Sequence, residues 1–179
     1  MLVHRLPTGT ILNLGAGTTG HSGPHRTVIN VDHVPPPVRG AGQFVLGDAL
    51  VLPFQDGCFD GLLMKDVLEH LPDPIAALRE MRRVAVPGAI LVLTTPRAVA
   101  RAVWDDPTHL RGFTSRALLT ALAKGGWRPV KGLRRLGGLP GAGRLHLETH
   151  LEHVMRIPGL GHWFGTNWIA QAMTSEGQR

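Results

Sequence analysis

Apolar runs of four to six residues, each closed by glycine, proline or an acid, recur through the first half of the chain. Thr10-Ile11-Leu12-Asn13-Leu14 ends in Gly15-Ala16-Gly17-Thr18-Thr19-Gly20, and Thr27-Val28-Ile29-Asn30-Val31 ends in Asp32-His33. Pro35-Pro36-Pro37 then imposes an extended loop. Gln43-Phe44-Val45-Leu46, closed by Gly47-Asp48, predicts a third strand, and residues 60–64 a fourth. Ala89-Ile90-Leu91-Val92-Leu93-Thr94 is the most hydrophobic run and suits the middle of a parallel sheet. Between the fourth and fifth strands the period changes from two to three-and-four. Asp73 reads as an N-cap with Pro74 at the first helical position, then Ile75, Leu78, Met81 or Arg82, and Ala85 share a face. Pro87-Gly88 is the expected stop. A second helix is predicted over 115–124, halted by Gly125-Gly126, with late strands over 127–136 and 166–174 and a short helix near 150–155. Strands alternating with helices imply an α/β fold with a mainly parallel sheet and right-handed crossovers.

Composition narrows the class. The chain has 179 residues, 43% hydrophobic and 18% charged, which fits one globular domain over 1–179. No apolar run approaches the ~20 residues of a membrane span. Met1 to Pro7 is too short and polar for a signal peptide. The expectation is a cytoplasmic protein without a membrane partner. The single cysteine, Cys58, reads as a small core residue ahead of Phe59. No metal ligand set is assigned from spacing; His146, His150 and His153 read as surface decoration. The net charge of +6 is concentrated in residues 97–144, where ten lysines and arginines face two acids. Such a block favours an anionic partner, against the plainer reading of a solvated surface.

Gly15-x-Gly17-x-x-Gly20 after one strand, with Asp32 ending the next, suits an adenosine ligand. Glycines allow close backbone approach, and the acid can accept hydrogen bonds from ribose hydroxyls. The fingerprint is imperfect, because Gly23-Pro24 opposes the helix that should start at the loop. The first crossover must therefore be abbreviated. A tight turn that merely needs glycine is the competing reading.

The motifs that follow decide the context. Gly47-Asp48-Ala49-Leu50-Val51-Leu52-Pro53-Phe54, Asp56-Gly57-Cys58-Phe59-Asp60, Asp66-Val67-Leu68-Glu69-His70-Leu71-Pro72-Asp73-Pro74 and Arg83-Val84-Ala85-Val86-Pro87-Gly88-Ala89 do not suit a nicotinamide dehydrogenase. In order over about residues 10–96, they resemble the class I S-adenosylmethionine-dependent methyltransferase family, in a branch reading "LNLG…INVD". The resemblance implies a Rossmann-like fold with a seven-stranded sheet, mainly parallel, whose last strand is antiparallel. It also implies a cofactor half over 10–96 and an acceptor half over 97–179. By resemblance, Gly15, Ala16 and Gly17 lie against the methionine part of S-adenosylmethionine and Asp32 holds the ribose. His33 packs on adenine, Asp48 receives the adenine amino group beside the Ala49 amide, and Lys65-Asp66 pass the methionine end. Asp56 reads as a turn residue, and Glu80 with Arg82-Arg83 as helix-surface ion pairs of little energetic weight.

Methyl transfer needs acceptor alignment and, for a protonated acceptor, a base. His70, after the fourth strand, and His109, in the segment Asp106-Pro107-Thr108-His109-Leu110-Arg111-Gly112-Phe113 that resembles a loop over the acceptor side in some relatives, are the candidates. A structural role for the Leu-Glu-His-Leu segment is the alternative for His70. The expected acceptor is a small, anionic molecule such as a sugar or natural-product intermediate. Aromatic content of 5%, with no tyrosine, argues against a nucleic-acid substrate. About nine residues precede the first strand, so the lid of N-terminal helices common in this family would be missing. Cover would come from the 35–42 loop, the 97–114 loop, the 138–160 insert or a second subunit, as a homodimer or hetero-complex. The region of Trp163, Phe164 and Trp168 is the expected exposed interface. A partner subunit of this fold, or one using the cofactor without methyl transfer, is the rival class.

Overall fold

The computed structural model describes residues 5–17, 25–36, 43–99, 103–130, 133–136 and 167–174. Strands β1 (Gly9–Leu14), β2 (Arg26–Asp32), β3 (Gln43–Leu46), β4 (Phe59–Lys65) and β5 (Ala85–Pro96) are mutually parallel. Strands β6 (Trp127–Pro129), β7 (Arg134–Leu136) and β8 (Asn167–Thr174) complete the sheet. The path β3-β2-β1-β4-β5-β8-β6 has seven strands, and β7 adds a short eighth on β8. β8, the last strand, runs antiparallel to β5. This is the expected α/β architecture, and residues 15–25 alone link β1 to β2.

Alternation along the strands sends side chains to two cores. Leu12, Leu62, Leu91 and Leu93 face helices α1 (Pro74–Val84) and α2 (Ser115–Lys124), whose Leu78, Met81, Leu118 and Leu122 are fully buried against them. Ile11, Val28, Leu63, Val92 and Ile169 form the core of the opposite face with Leu6. Both helices start on side-chain caps. Asp73 Oδ1 accepts from the Ile75 and Ala76 amides at 3.0 and 2.9 Å, and Thr114 Oγ1 accepts from the Ala117 amide at 3.1 Å. The branch motif has a physical basis: Asn13 and Asn30 stand opposite in register, and Asn13 Nδ2 donates to Asn30 Oδ1 at 2.8 Å inside the sheet. Among the described residues no helix is long and apolar enough to cross a membrane.

Several expectations are corrected. α1 ends at Val84 rather than at Pro87-Gly88, because the loop before β4 takes over its final carbonyls. Gly57 and Cys58 amides donate to Arg83 and Val84 oxygens at 3.0 and 2.7 Å. Pro87-Gly88 instead forms an irregularity inside β5, with Gly88 at φ +81° and its amide on Thr174 Oγ1. The register with β4 shifts there, from Phe59↔Ala85 to Gly61↔Ile90. The run 127–136 is two strands, Trp127–Pro129 and Arg134–Leu136, each paired with β8. Cys58 is exposed and donates its thiol hydrogen to the Gln55 carbonyl, so it is no core filler. Trp168 is buried, with its indole N–H on the Phe113 carbonyl at 2.8 Å, so it offers no exposed interface. The segment 150–155, His146, Trp163 and Phe164 lie outside the described residues.

The Glu80–Arg83 pair does more than decorate a helix. The Arg83 guanidinium donates to Glu80, to Asp56 and to the Leu52 and Phe54 carbonyls, while Glu80 Oε2 also accepts the Leu52 amide at 2.9 Å. Hydrogen bonding from Arg83 holds the Glu80 carboxyl below its usual range. The fork thus fastens the loop after β3 onto α1.

Candidate cofactor and acceptor site

The carboxyl ends of β1, β2 and β3 open into a cleft of about 350 Å³, mouth included, lined by Leu14, Gly15, Asp32, His33, Gly47, Asp48, Ala49, Val67 and Leu71. Parallel strands place ligands there, at the point where strand order reverses. The glycine loop folds back over β2: the Gly15 and Ala16 amides both donate to the Val31 carbonyl, at 2.9 and 3.1 Å. Gly15 sits at φ +72°, and a Cβ on it would lie 2.0 Å from Val67 Cγ2. Both facts demand glycine. Gly15→Ala is expected to lower cofactor affinity at least tenfold, because the added methyl pushes Val67 into the cleft. Adding Val67→Ala should recover part of the loss in a calorimetric titration; no recovery would show that backbone strain alone is responsible.

Asp32 organises the cleft. Its Oδ2 accepts the Gly17 amide at 2.8 Å; its Oδ1 accepts the Val34 amide at 3.2 Å and faces His33 Nδ1 at 3.0 Å. A carboxylate offers about four acceptor positions, so capacity remains for a ligand. Asp48 Oδ1 accepts the Leu50 amide at 2.8 Å, a turn-forming bond that fixes the carboxylate at the cleft wall while Ala49 is buried behind it.

Gly15, Asp32, His33, Asp48 and Ala49 thus line one cleft as the sequence implied, and Gly17 joins through its bond to Asp32. Ala16 and Lys65 are not among the lining residues. Lys65 ends β4 with an exposed side chain, and the chain then bends at Asp66, φ +51°. Asp66 Oδ1 accepts from Thr94 Oγ1 and Asn167 Nδ2, at 2.8 and 2.9 Å, which holds the bend. Just beyond this bend Val67 and Leu71 line the cleft. Their apolar character in a polar stretch was the available signal.

Between Val67 and Leu71 runs a 3₁₀ turn, Leu68–His70, that brings a second group together. Glu69 is fully buried, its Oε2 accepting from Thr95 Oγ1 at 3.0 Å. Burial pushes its carboxyl up to about 7, reinforced by the Asp66 charge and opposed by hydrogen bonds to the backbone and Thr95. His70 and His109 stack edge to face with ring centroids 4.6 Å apart. His109 Nδ1 meets the Val103 carbonyl at 2.6 Å, and His70 Nδ1 meets the Thr108 carbonyl and hydroxyl at 3.2 and 3.0 Å. The Thr108 hydroxyl donates its own hydrogen to Asp106 Oδ1 at 2.6 Å, so it accepts from His70. Every partner of either Nδ1 is therefore an acceptor. Nδ1 thus bears a hydrogen in both rings, and the neutral form of each imidazole has its lone pair on Nε2. The 103–114 loop is further sewn to this turn by Leu110 N–H to the Glu69 carbonyl, 2.9 Å, and Arg111 to the Pro72 carbonyl, 3.1 Å. Glu69 was missed as a site residue because nothing in its local spacing links it to His109.

The sheet of this order has the fold of a solved SAM-dependent methyltransferase from Archaeoglobus fulgidus, at a TM-score of 0.68 with 18% identity, over 96% of this chain and 91% of that one. Residues 12–93 match the family described as Methyltransferase domain, in line with the resemblance of the sequence motifs. It is 50% identical over 51 residues to norajmaline N-methyltransferase of Rauvolfia serpentina, covering 28% of this chain and 18% of that protein. It is 26% identical over 185 residues to 2-methyl-6-phytyl-1,4-hydroquinone methyltransferase of a Synechocystis species, covering 91% and 55%. The chain thus spans less than two thirds of the length of these relatives. The cyclase SpnF shares the fold at a TM-score of 0.71 with 21% identity, over 98% of this chain and 79% of that one. S-adenosylmethionine is the cofactor of the class, and the cleft fits it: Asp32 keeps acceptor capacity for a ribose, and only glycine is tolerated where the loop meets Val67.

Proposed function

We propose that the chain transfers a methyl group from S-adenosylmethionine to an oxygen or nitrogen of a small anionic molecule, such as a sugar or a natural-product intermediate, in the cytoplasm. The observation that carries this reading is the adjacency of two groups on one turn. Val67 and Leu71 wall the cofactor cleft, and Glu69 and His70 between them face His109 on the loop after β5. Bound cofactor supplies an electrophilic methyl on sulfur. Asp32 orients the ribose, Asp48 and Ala49 meet the adenine end, and Val67 and Leu71 exclude water from the cleft. His109 and His70 present basic Nε2 atoms that can take the proton an oxygen or nitrogen acceptor loses. The excess of lysine and arginine over 97–144 favours a negative acceptor.

Calorimetric titration with S-adenosylmethionine and S-adenosylhomocysteine tests the reading. Micromolar binding, about −8 kcal/mol, is expected, followed by methylated product when small anionic acceptors are supplied. A folded sample that binds neither compound refutes it. Binding without product for any acceptor class favours the second reading, use of the fold without methyl transfer, for which the likeness to a cyclase is the supporting observation.

A further inference from the structure

We propose that Glu69, His70 and His109 form a binding site for a divalent transition-metal ion, zinc being the first choice, on the acceptor side of the cleft. One ligand atom from each residue lies within 4.8 Å of the other two. Two further observations make this more than a cluster. First, Glu69 is fully buried, and its Oε1 has no hydrogen-bond partner among the described residues. A buried carboxylate oxygen without a partner is costly, and a cation is the ligand that best offsets it. Second, both histidines are already set as metal ligands set them. Each gives its Nδ1 hydrogen to a backbone carbonyl, of Thr108 and Val103, which fixes the ring and directs the free lone pair of Nε2 away from that bond.

Two imidazoles and one carboxylate are the donor set of catalytic zinc and of open divalent iron sites, which leave positions for a substrate or water. Zinc with ligand bonds of about 2.1 Å holds its ligands roughly 3.4 Å apart, so binding draws the three side chains slightly inward. Asp106 Oδ2, 3.8 Å from His109 Nε2, stands beside the site as a fourth donor.

The proposal rests on the methyl-transfer reading for its consequence, not for its geometry. A hydroxyl acceptor bound at the ion gives its proton to solvent. Its oxygen lone pair then forms the bond to the methyl carbon while the carbon–sulfur bond breaks, leaving the pair on sulfur. With the ion in place the imidazoles act as ligands, and the lowered pKa of the bound hydroxyl replaces a free base. The acceptor class is thereby narrowed to oxygen nucleophiles able to coordinate, such as phenols, catechols or sugar diols.

The test is titration of chelator-treated full chain with zinc alone, and with cobalt followed by its visible ligand-field bands. One tight site per chain is expected, weakened at least about 100-fold by His109→Ala and by Glu69→Gln. Glu69→Gln preserves shape and guards against a folding defect, which circular dichroism checks. Substitution of His146, His150 and His153 together should leave this site unchanged. Zinc affinity that survives His109→Ala and Glu69→Gln, or that is absent in the wild type, overturns the proposal. Cofactor titration of the same samples separates the two ideas: cofactor binding without zinc binding removes the metal and leaves the methyltransferase reading, and the reverse result does the opposite.

Discussion

Asp32→Ala should reduce affinity for S-adenosylhomocysteine by about a thousandfold while leaving the protein folded. The magnitude follows from the bonds at stake. One ribose hydroxyl can take the open position on Oδ2 and a second can replace the exposed His33 Nδ1 on Oδ1. Two such charge-assisted hydrogen bonds are worth about 1.5–3 kcal/mol each, so their loss approaches about 4 kcal/mol, or three powers of ten. The variant also releases the Gly17 and Val34 amides, which are both held by this one carboxylate. The loop then loses the tie that presents it to the ligand. Asp32→Asn separates the contributions: it keeps the size and one acceptor oxygen, so it should retain an intermediate affinity. Calorimetry on both variants, with thermal unfolding as a control, gives the answer. An unchanged dissociation constant in Asp32→Ala would place the cofactor elsewhere.

The largest stability effect is expected at Trp127. Its side chain is 2% exposed, sits at the meeting of α1, α2 and β6, and donates its indole hydrogen to the Leu78 carbonyl at 2.9 Å. That carbonyl lies within α1, so the bond locks helix to sheet. Trp127→Ala removes the largest fully buried side chain among the described residues and takes the indole hydrogen bond from a carbonyl that keeps only its helical partner, at a cost of about 3–5 kcal/mol. For a chain of this size a change of 1 kcal/mol moves the melting temperature by about 2–4 °C, so a drop of about 6–20 °C is expected. Trp127→Phe keeps most of the volume and loses only the hydrogen bond, and should fall by a small part of that. Equal losses in the two variants would show that the indole hydrogen bond, rather than packing, carries the effect.

These two residues also mark what could be read from the sequence. Asp32 was legible because its role is local: an apolar strand ends in an acid opposite a glycine loop, and backbone geometry does the rest. The strands β1, β3 and β5 and helix α2 were legible for the same reason, since period and punctuation are short-range properties. The end of α1 was not. Pro87-Gly88 is a strong stop signal, but the helix yields three residues earlier because the 57–58 loop competes for its carbonyls, a contact between distant parts of the chain. The place of Val67 and Leu71 in the cleft wall was not legible either: the left-handed backbone at Asp66 brings them there, and that bend is maintained by Thr94 and Asn167 from two other strands. Glu69 reads as a charged residue on a turn; only the closure of the 103–114 loop over it makes it buried. Trp168 likewise looks like surface until the pairing of β8 with β5 places it beneath Phe113.

The seam that joins the turn after β4 to the loop after β5 has a thermodynamic consequence. Leu110 to Glu69, Arg111 to Pro72 and His70 to Thr108 cross it, and Leu71, beside Pro72, is a wall of the cofactor cleft. A ligand that stiffens Leu71 therefore lowers the entropic cost of ordering the acceptor loop, and an acceptor that orders the loop lowers the cost of fixing Leu71. Linkage makes the two effects equal in free energy. Cofactor and acceptor should thus bind with positive heterotropic cooperativity, and hydrogen exchange at the Leu110 amide, which is bonded to the Glu69 carbonyl, is the reporter that would register either one.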